Sequence, residues 1–346
     1  MSDIDIRRTG RAGRITIRRP KALNALTYPM IPAIAEALNE WQQDDKVALI
    51  VIDAEGDRAF CAGGDITVLY EAGRKGDFAF GHRFWRDEYR LNAQIAEYPK
   101  PIASFMQGFT MGGGVGIGCH ASHRVVGDTS RIAMPECGIG LIPDVGGSLL
   151  LANAPGRLGE YLGLTGARMG PGDAIHAGFA DHFIAEDGWP ELISALEETG
   201  DTSVIEPAAR ARPRSAIRDA QTEIDILFAG TTLTEFGTAL AATATDIAKT
   251  AAKALARNAP LSMACTLELL ARNRASPTIH AALSEEYRFT ARATEKGDFL
   301  EGIRAAIIDK DRAPRWKHEL NTVTAGDVAE MLAPLGDNDL IWEQNT

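Results

Sequence analysis

The stretch PIASFMQGFTMGGGVGIGCHASHRVVGDTSRIAMPECGIGLIPDVGG, residues 101–147, decides how the rest of the chain is read. Its apolar run Pro101–Phe105 has the texture of a buried strand. It leads into Thr110-Met111-Gly112-Gly113-Gly114-Val115-Gly116-Ile117-Gly118, which reads as a tight turn entering a helix of small residues. Successive glycines let a ligand approach the backbone with no Cβ in the way, and the start of the following helix adds partial positive charge. That is the design of an oxyanion hole. Downstream, in PECGIGLIPDVGG, Glu136 and Asp144 stand beside prolines and glycines and among apolar residues. Carboxyl groups in such surroundings are expected to hold their protons to raised pH. A plainer role is also open to both, as helix caps after Pro135 and Pro143.

Working outward, Ile4–Ile6 and Gly13–Ile17 read as a hairpin around Thr9-Gly10-Arg11. Thr27–Asp44 carries Met30, Ile31, Ile34, Ala37, Leu38 and Trp41 at helical spacing, and Val47–Ile52 is a continuous apolar run suited to a strand covered on both faces. That strand delivers the chain to a second glycine turn, Ala59-Phe60-Cys61-Ala62-Gly63-Gly64-Asp65-Ile66. Strand, glycine turn and helix therefore occur twice. Two such turns can supply the two N–H donors that an oxyanion requires, each within ~3 Å of the developing charge. Phe78–Ile95 reads as a helix whose Phe80, Phe84, Trp85 and Tyr89 form a packing stripe. Phe179–Ile184 reads as a last strand. From Trp189 the texture turns to alanine- and leucine-rich helices, namely Pro190–Glu198, Ile217–Phe228, Leu233–Ala256, Ser262–Arg272 and Ile279–Lys296. The loop-like EETGDTSVIEP places a boundary near 190–205, giving a core over residues 1–195 and a helical C-terminal region over 196–346.

Composition bounds the function class. The 346 residues suffice for one large domain or two smaller ones, and 45% hydrophobic with 24% charged residues describes an ordinary globular protein. A net charge of −11 without clustered Lys and Arg argues against nucleic acid as a partner. No run approaches ~18 apolar residues and no leader pattern opens the sequence, so no membrane partner and a cytoplasmic location are expected. Cys61, Cys119, Cys137 and Cys265 lie far apart, as reduced thiols rather than zinc ligands. His120 and His123 have a spacing that can hold a metal, yet helix-end histidines are the simpler reading, so no metal site is expected.

In order along the chain, RRPKALNAL, FCAGGDI, GFTMGGGVG and MPECGIGLIPDVGG followed by LTG make this sequence resemble the enoyl-CoA hydratase/isomerase, or crotonase, superfamily. The resemblance implies an α/β fold, a spiral of ββα units with a helical C-terminal part, assembled as a homo-oligomer, usually a trimer or a multiple of it. FWRDEYRLN, the acidic segment, and Glu285–Trp316 narrow it to the 3-hydroxyisobutyryl-CoA hydrolases of valine breakdown. By that resemblance Gly64 and Gly113 supply the oxyanion amides, Glu136 and Asp144 are the catalytic carboxyls, and Glu88 lines the acyl pocket. Lys21, Ala22 and Leu23, with Ala62, Gly63, Asp65 and Ile66, lie along the coenzyme A. The acyl-CoA is the substrate, and no separate cofactor is implied.

The chemistry is consistent with this. A thioester hydrolase needs donors for the oxyanion and a carboxyl group to activate water or to attack directly, while the thiolate leaves readily. The sequence leaves open whether Glu136 is base or nucleophile, and whether Asp144 orients water, holds a substrate hydroxyl or shares a proton. Glu88 alternatively lies on a solvated helix face between Arg86 and Arg90. A double-bond isomerase is the nearest rival. Hydratases of the superfamily carry a second glutamate where this chain has Gly116, which counts against hydration. No G-x-S-x-G elbow is present, and the glycine run lacks dinucleotide-fold spacing.

Overall fold

The computed structural model describes residues 3–342. Among them the strands are β1 (Ile4–Thr9), β2 (Ala12–Ile17), β3 (Leu49–Ala54), β4 (Ala59–Cys61), β5 (Ile102–Met106), β6 (Phe109–Met111), β7 (His123–Val126), β8 (Arg131–Ala133) and β9 (His182–Phe183). They form one sheet in the order β1-β2-β3-β5-β7-β9 and a second in the order β4-β6-β8. After the β1–β2 hairpin each pass of the chain lays one strand in the long sheet and the next in the short one, then returns through helix. This is the winding of a ββα spiral. Every pairing between two of these strands after the hairpin is parallel, with Ile50 opposite Ile102, Ala103 opposite His123 and Val125 opposite His182. Parallel strands need covered faces, which is why β5, IASFM, is buried at every position.

By compactness the chain groups into two units, each built from three segments. The first takes the chain up to Asp65, Arg90–Ala133 and Arg168–Arg218, and holds both sheets. Its core packs Trp189, Leu192, Ile193 and Leu196, one face of the helix Trp189–Thr199, on Leu49, Val51, Ala103, Phe105 and Val125. The Trp189 and Phe105 rings lie 5.4 Å apart, edge to face. Pro190–Glu198 is helical as expected, but EETGDTSVIEP, residues 197–207, is accordingly not an open loop. The helix stops at Gly200, in the left-handed region at φ +67°, and short turns over Thr202–Val204 and Ile205–Ala208 return Ile205 to the same core.

The second unit comprises Ile66–Tyr89, Met134–Ala167 and the described chain from Asp219 onward. Its regular elements are helical, among them Ile66–Arg74, Gly147–Ala152, Leu158–Thr165, Pro260–Ala275 and Ile279–Ala293. Among the described residues every regular element after β9 is helical, as the alanine-rich texture predicts. Leu233–Ala256 is nevertheless two helices, Leu233–Ala241 and Asp246–Arg257. The second starts afresh because the Thr245 side chain accepts the Ala248 N–H. No described helix is long and apolar enough to cross a membrane.

Candidate active site

In the first unit β4 and β6 run side by side, Ala59 opposite Phe109 and Cys61 opposite Thr110, and each ends in a glycine turn. Gly63 (φ +110°) and Gly112 (φ +48°) occupy backbone regions that side chains avoid. A Cβ on Gly63 would lie 3.5 Å from the Met111 carbonyl oxygen and 4.0 Å from the Gly113 nitrogen, so the two turns touch. On Gly114 it would lie 2.2 Å from the Cys61 carbonyl oxygen, which makes glycine obligatory there. The turns are also stitched to the segment before them. Ala62 N–H donates to Leu23 O (3.0 Å), Leu26 N–H to Gly63 O (2.9 Å) and Asp65 N–H to Leu26 O (2.8 Å). Asn24, buried at φ +56°, fixes that segment by donating to Glu55 O (2.9 Å) and Ala59 O (2.7 Å). Among the described residues the Gly64 and Gly113 amides are left without an acceptor.

Exposed Lys21 and Ala22 and half-buried Leu23 thus lie on the strip joined to Ala62, Gly63 and Asp65. Asp65 pairs with Arg19 at 3.3 Å. Ile66 opens the helix Ile66–Arg74, which belongs to the second unit.

The second unit gathers the carboxyl groups. Glu136 opens a short turn, Glu136–Ile139, and Asp144 precedes the helix Gly147–Ala152, but neither side chain caps a helix, which removes the plainer reading of both. They are 5% and 4% exposed. Glu88, at 3%, is not on a solvated face either, and Arg86 donates to the Tyr287 hydroxyl (3.1 Å). One oxygen each of Glu88 and Glu136 has no hydrogen-bond partner among the described residues. The Tyr89 hydroxyl donates to Asp144 Oδ2 at 2.8 Å.

Burial dominates the electrostatics. It pushes Asp144 up to about 7, against the opposing hydrogen bond from Tyr89. Glu136 and Glu88 are held well above the usual carboxyl range, first by burial and then by the negative charge of Asp144. A fourth buried carboxyl, Glu286 on the helix Ile279–Ala293, is raised by burial to about 8 against hydrogen bonds from Ser148 and Gly146.

Two members of this cluster escape sequence reasoning. Tyr89 counts there only as packing, and Glu286 is not singled out. A signal exists for Glu286: with Ile279, Ala282, Leu283 and Thr290 it follows the helical spacing of a buried face.

Burial drives the Cys119 thiol up to about 12, beside the Met106 sulfur at 3.7 Å. His123 stacks on His182, ring centres 6.5 Å apart. Among the described residues no group of three or more His, Cys, Asp or Glu is placed to hold a metal ion.

Comparison with known proteins supplies the lineage. A family model described as enoyl-CoA hydratase/isomerase matches residues 12–332. The chain is 36% identical over 351 residues to the mitochondrial 3-hydroxyisobutyryl-CoA hydrolase of Gallus gallus, covering 98% of this chain and 91% of that one. A crystal structure of an enoyl-CoA hydratase from Rhodobacter sphaeroides 2.4.1 superposes with a TM-score of 0.95 at 59% identity, covering 99% of this chain and 100% of the other. A carnitinyl-CoA dehydratase from Mycobacterium thermoresistibile does so with a TM-score of 0.95 at 40% identity, covering 99% of each chain. The names differ in reaction, and the two solved structures share the fold of this chain. On the alternating two-sheet spiral, its paired glycine turns and a family match spanning nearly its whole length, the chain belongs to the enoyl-CoA hydratase/isomerase family.

Proposed function

We propose that the chain hydrolyses acyl-CoA thioesters, with 3-hydroxyisobutyryl-CoA as the favoured substrate and 3-hydroxyisobutyrate and free coenzyme A as products. The observation that carries this reading is the Glu136 carboxyl: fully buried, one oxygen without a protein partner, its proton affinity raised. In its ionised form such a group takes a proton from water, or attacks the carbonyl itself. A C–O bond forms at the thioester carbon, the carbonyl oxygen takes up negative charge, and collapse breaks the C–S bond. On the base route the thiolate departs as coenzyme A, protonated by the hydrogen that the water gave up. On the nucleophile route its departure leaves a mixed anhydride, which water hydrolyses to the free acid and Glu136, the released proton going to the thiolate. In this reading the unengaged Gly64 and Gly113 amides receive the oxyanion, about 3 kcal/mol of transition-state stabilisation for each donor. Asp144, ionising near neutrality, orients the water or shares its proton with Glu136.

Gly116 favours hydrolysis over hydration. Adding water across a double bond calls for an acid and a base, and the position of the second glutamate in hydratases that the sequence resembles is here a buried glycine in the helix Gly113–Gly118. The Gallus gallus relative points the same way. Hydration is the second reading, favoured by the name of the Rhodobacter sphaeroides relative, 59% identical. The strip Lys21–Leu23 with Ala62–Ile66 is proposed to bind the coenzyme A portion, and the trimeric assembly is carried over from the resemblance alone. Four free cysteines are in keeping with the proposed cytoplasmic compartment.

Glu136→Gln tests the assignment. It keeps size and removes the base, so kcat for thiol release should fall by about a thousandfold or more while KM changes by less than about threefold. A loss confined to KM would refute the role of Glu136.

A further inference from the structure

We infer that Glu286 is a positioning residue whose carboxyl oxygens clamp the turn Asp144–Ser148 and thereby aim the Asp144 carboxyl. The turn is strained. Val145 (φ +55°) and Gly146 (φ +76°) are both left-handed, and Gly147 N–H closes on Asp144 O at 2.7 Å, the geometry of a type I′ turn. Glycine suits such positions, and a β-branched valine does not. Val145 is 1% exposed, so solvent does not hold it there.

The compensation comes from a helix far along the chain. Glu286 Oε2 accepts the Gly146 N–H at 2.8 Å, and Oε1 accepts the Ser148 N–H at 3.1 Å together with the Ser148 hydroxyl. Asn273 Nδ2 donates to Ser148 Oγ at 2.7 Å, which commits the hydroxyl hydrogen to Glu286. Three donors therefore converge on the two oxygens of one fully buried carboxyl group, where glutamine would offer a single acceptor oxygen and an NH2 group instead. The turn has little room to relax on its far side, since a Cβ on Gly147 would meet Met134 Cε at 2.5 Å. The first residue of the clamped turn is Asp144, whose Oδ2 takes the Tyr89 hydroxyl, so the clamp sets the direction of that carboxyl.

The kinetic half of this inference rests on the thioesterase reading, and the folding half does not. The experiment is a double-mutant cycle of Glu286→Gln and Val145→Gly, read by thiol release and by urea unfolding. Glutamine turns an NH2 group toward amides that need an acceptor. For Glu286→Gln we expect kcat to drop about a hundredfold with KM within about threefold. Glycine at 145 removes the strain the clamp opposes, so in the Glu286→Gln background it should restore kcat about tenfold, and the urea midpoints should be non-additive in the same sense. Additive effects in both readouts, or a loss in KM alone, would overturn the inference. If Glu286→Gln does not fold, Ser148→Ala takes its place: a kcat loss of about fivefold, relieved by Val145→Gly, supports the clamp, and a loss that is not relieved overturns it. A wild-type protein that releases no thiol would sink the thioesterase reading, and the urea cycle would then decide the clamp by itself.

Discussion

Replacing Asp144 with asparagine removes one ionisable group from the buried cluster while keeping its size and an acceptor for the Tyr89 hydroxyl. In the folded protein Asp144 titrates near 7 instead of its ordinary 3.8, because burial penalises the anion. The folded state thus binds this proton more tightly than the unfolded chain. Its contribution to stability is fully present below about pH 4 and is lost as the pH rises through 7. Over the interval from pH 5 to pH 8 that loss is about 2–3 kcal/mol, within a total of about 4 kcal/mol. Asparagine carries no such slope. Glu136 and Glu88, each pushed up in part by the Asp144 charge, ionise more easily in the variant, which adds to the same sign. The assay is equilibrium urea unfolding of both proteins at pH 5 and pH 8. Asp181 and Glu160, which their arginine partners hold down against burial, lose their protons below this interval and add almost no slope to it. The variant should gain on the wild type by about 2–3 kcal/mol between the two pH values while losing turnover, a stability cost that the site bears for function. Stabilities that run parallel across the interval would refute the raised titration of Asp144.

Tyr89→Phe should move the acid limb of the kcat/KM profile upward by about one pH unit, since the lost hydrogen bond favours the charged form of Asp144; an unmoved limb would separate Asp144 from that ionisation. Gly114→Ala should cost about 3 kcal/mol or more in urea unfolding, because its Cβ would meet the Cys61 carbonyl oxygen at 2.2 Å. Gly76→Ala, at φ +76° with nothing within 4 Å, serves as the control and should cost only about 1 kcal/mol. Equal costs would mean that the close approach of the two turns is not what requires glycine at 114.

Much of the fold is legible because its signals are local. Apolar runs mark β3 and β5, glycines mark the turns after β4 and β6, and Gly63 and Gly112 have the left-handed backbone those turns demand. What misleads is averaging over an element with two unlike faces. EETGDT looks like a linker because its polar residues coat the outside of a helix end, while Trp189, Leu192, Ile193 and Leu196 on the other side fill the core. Glu88 suffers the same error: Phe84, Trp85, Leu91 and Ile95 place it on the buried stripe of its helix, where its charge, and not its exposure, is the anomaly. Glu286 is harder. Its partners Gly146 and Ser148 lie 140 and 138 residues away in sequence, and only the folded chain brings them to it. The helical spacing could flag Glu286 as buried, but nothing near it in sequence says what it holds.

Two assays run side by side on the purified protein test the proposed reaction most directly: release of free thiol from 3-hydroxyisobutyryl-CoA, and loss of the conjugated double bond of crotonyl-CoA. Rapid thiol release that disappears in Glu136→Gln, with crotonyl-CoA left intact, is the predicted result. Hydration of crotonyl-CoA with the thioester surviving in both substrates would contradict it, and would show that Gly116 does not deprive this chain of the second acid–base group that hydration needs.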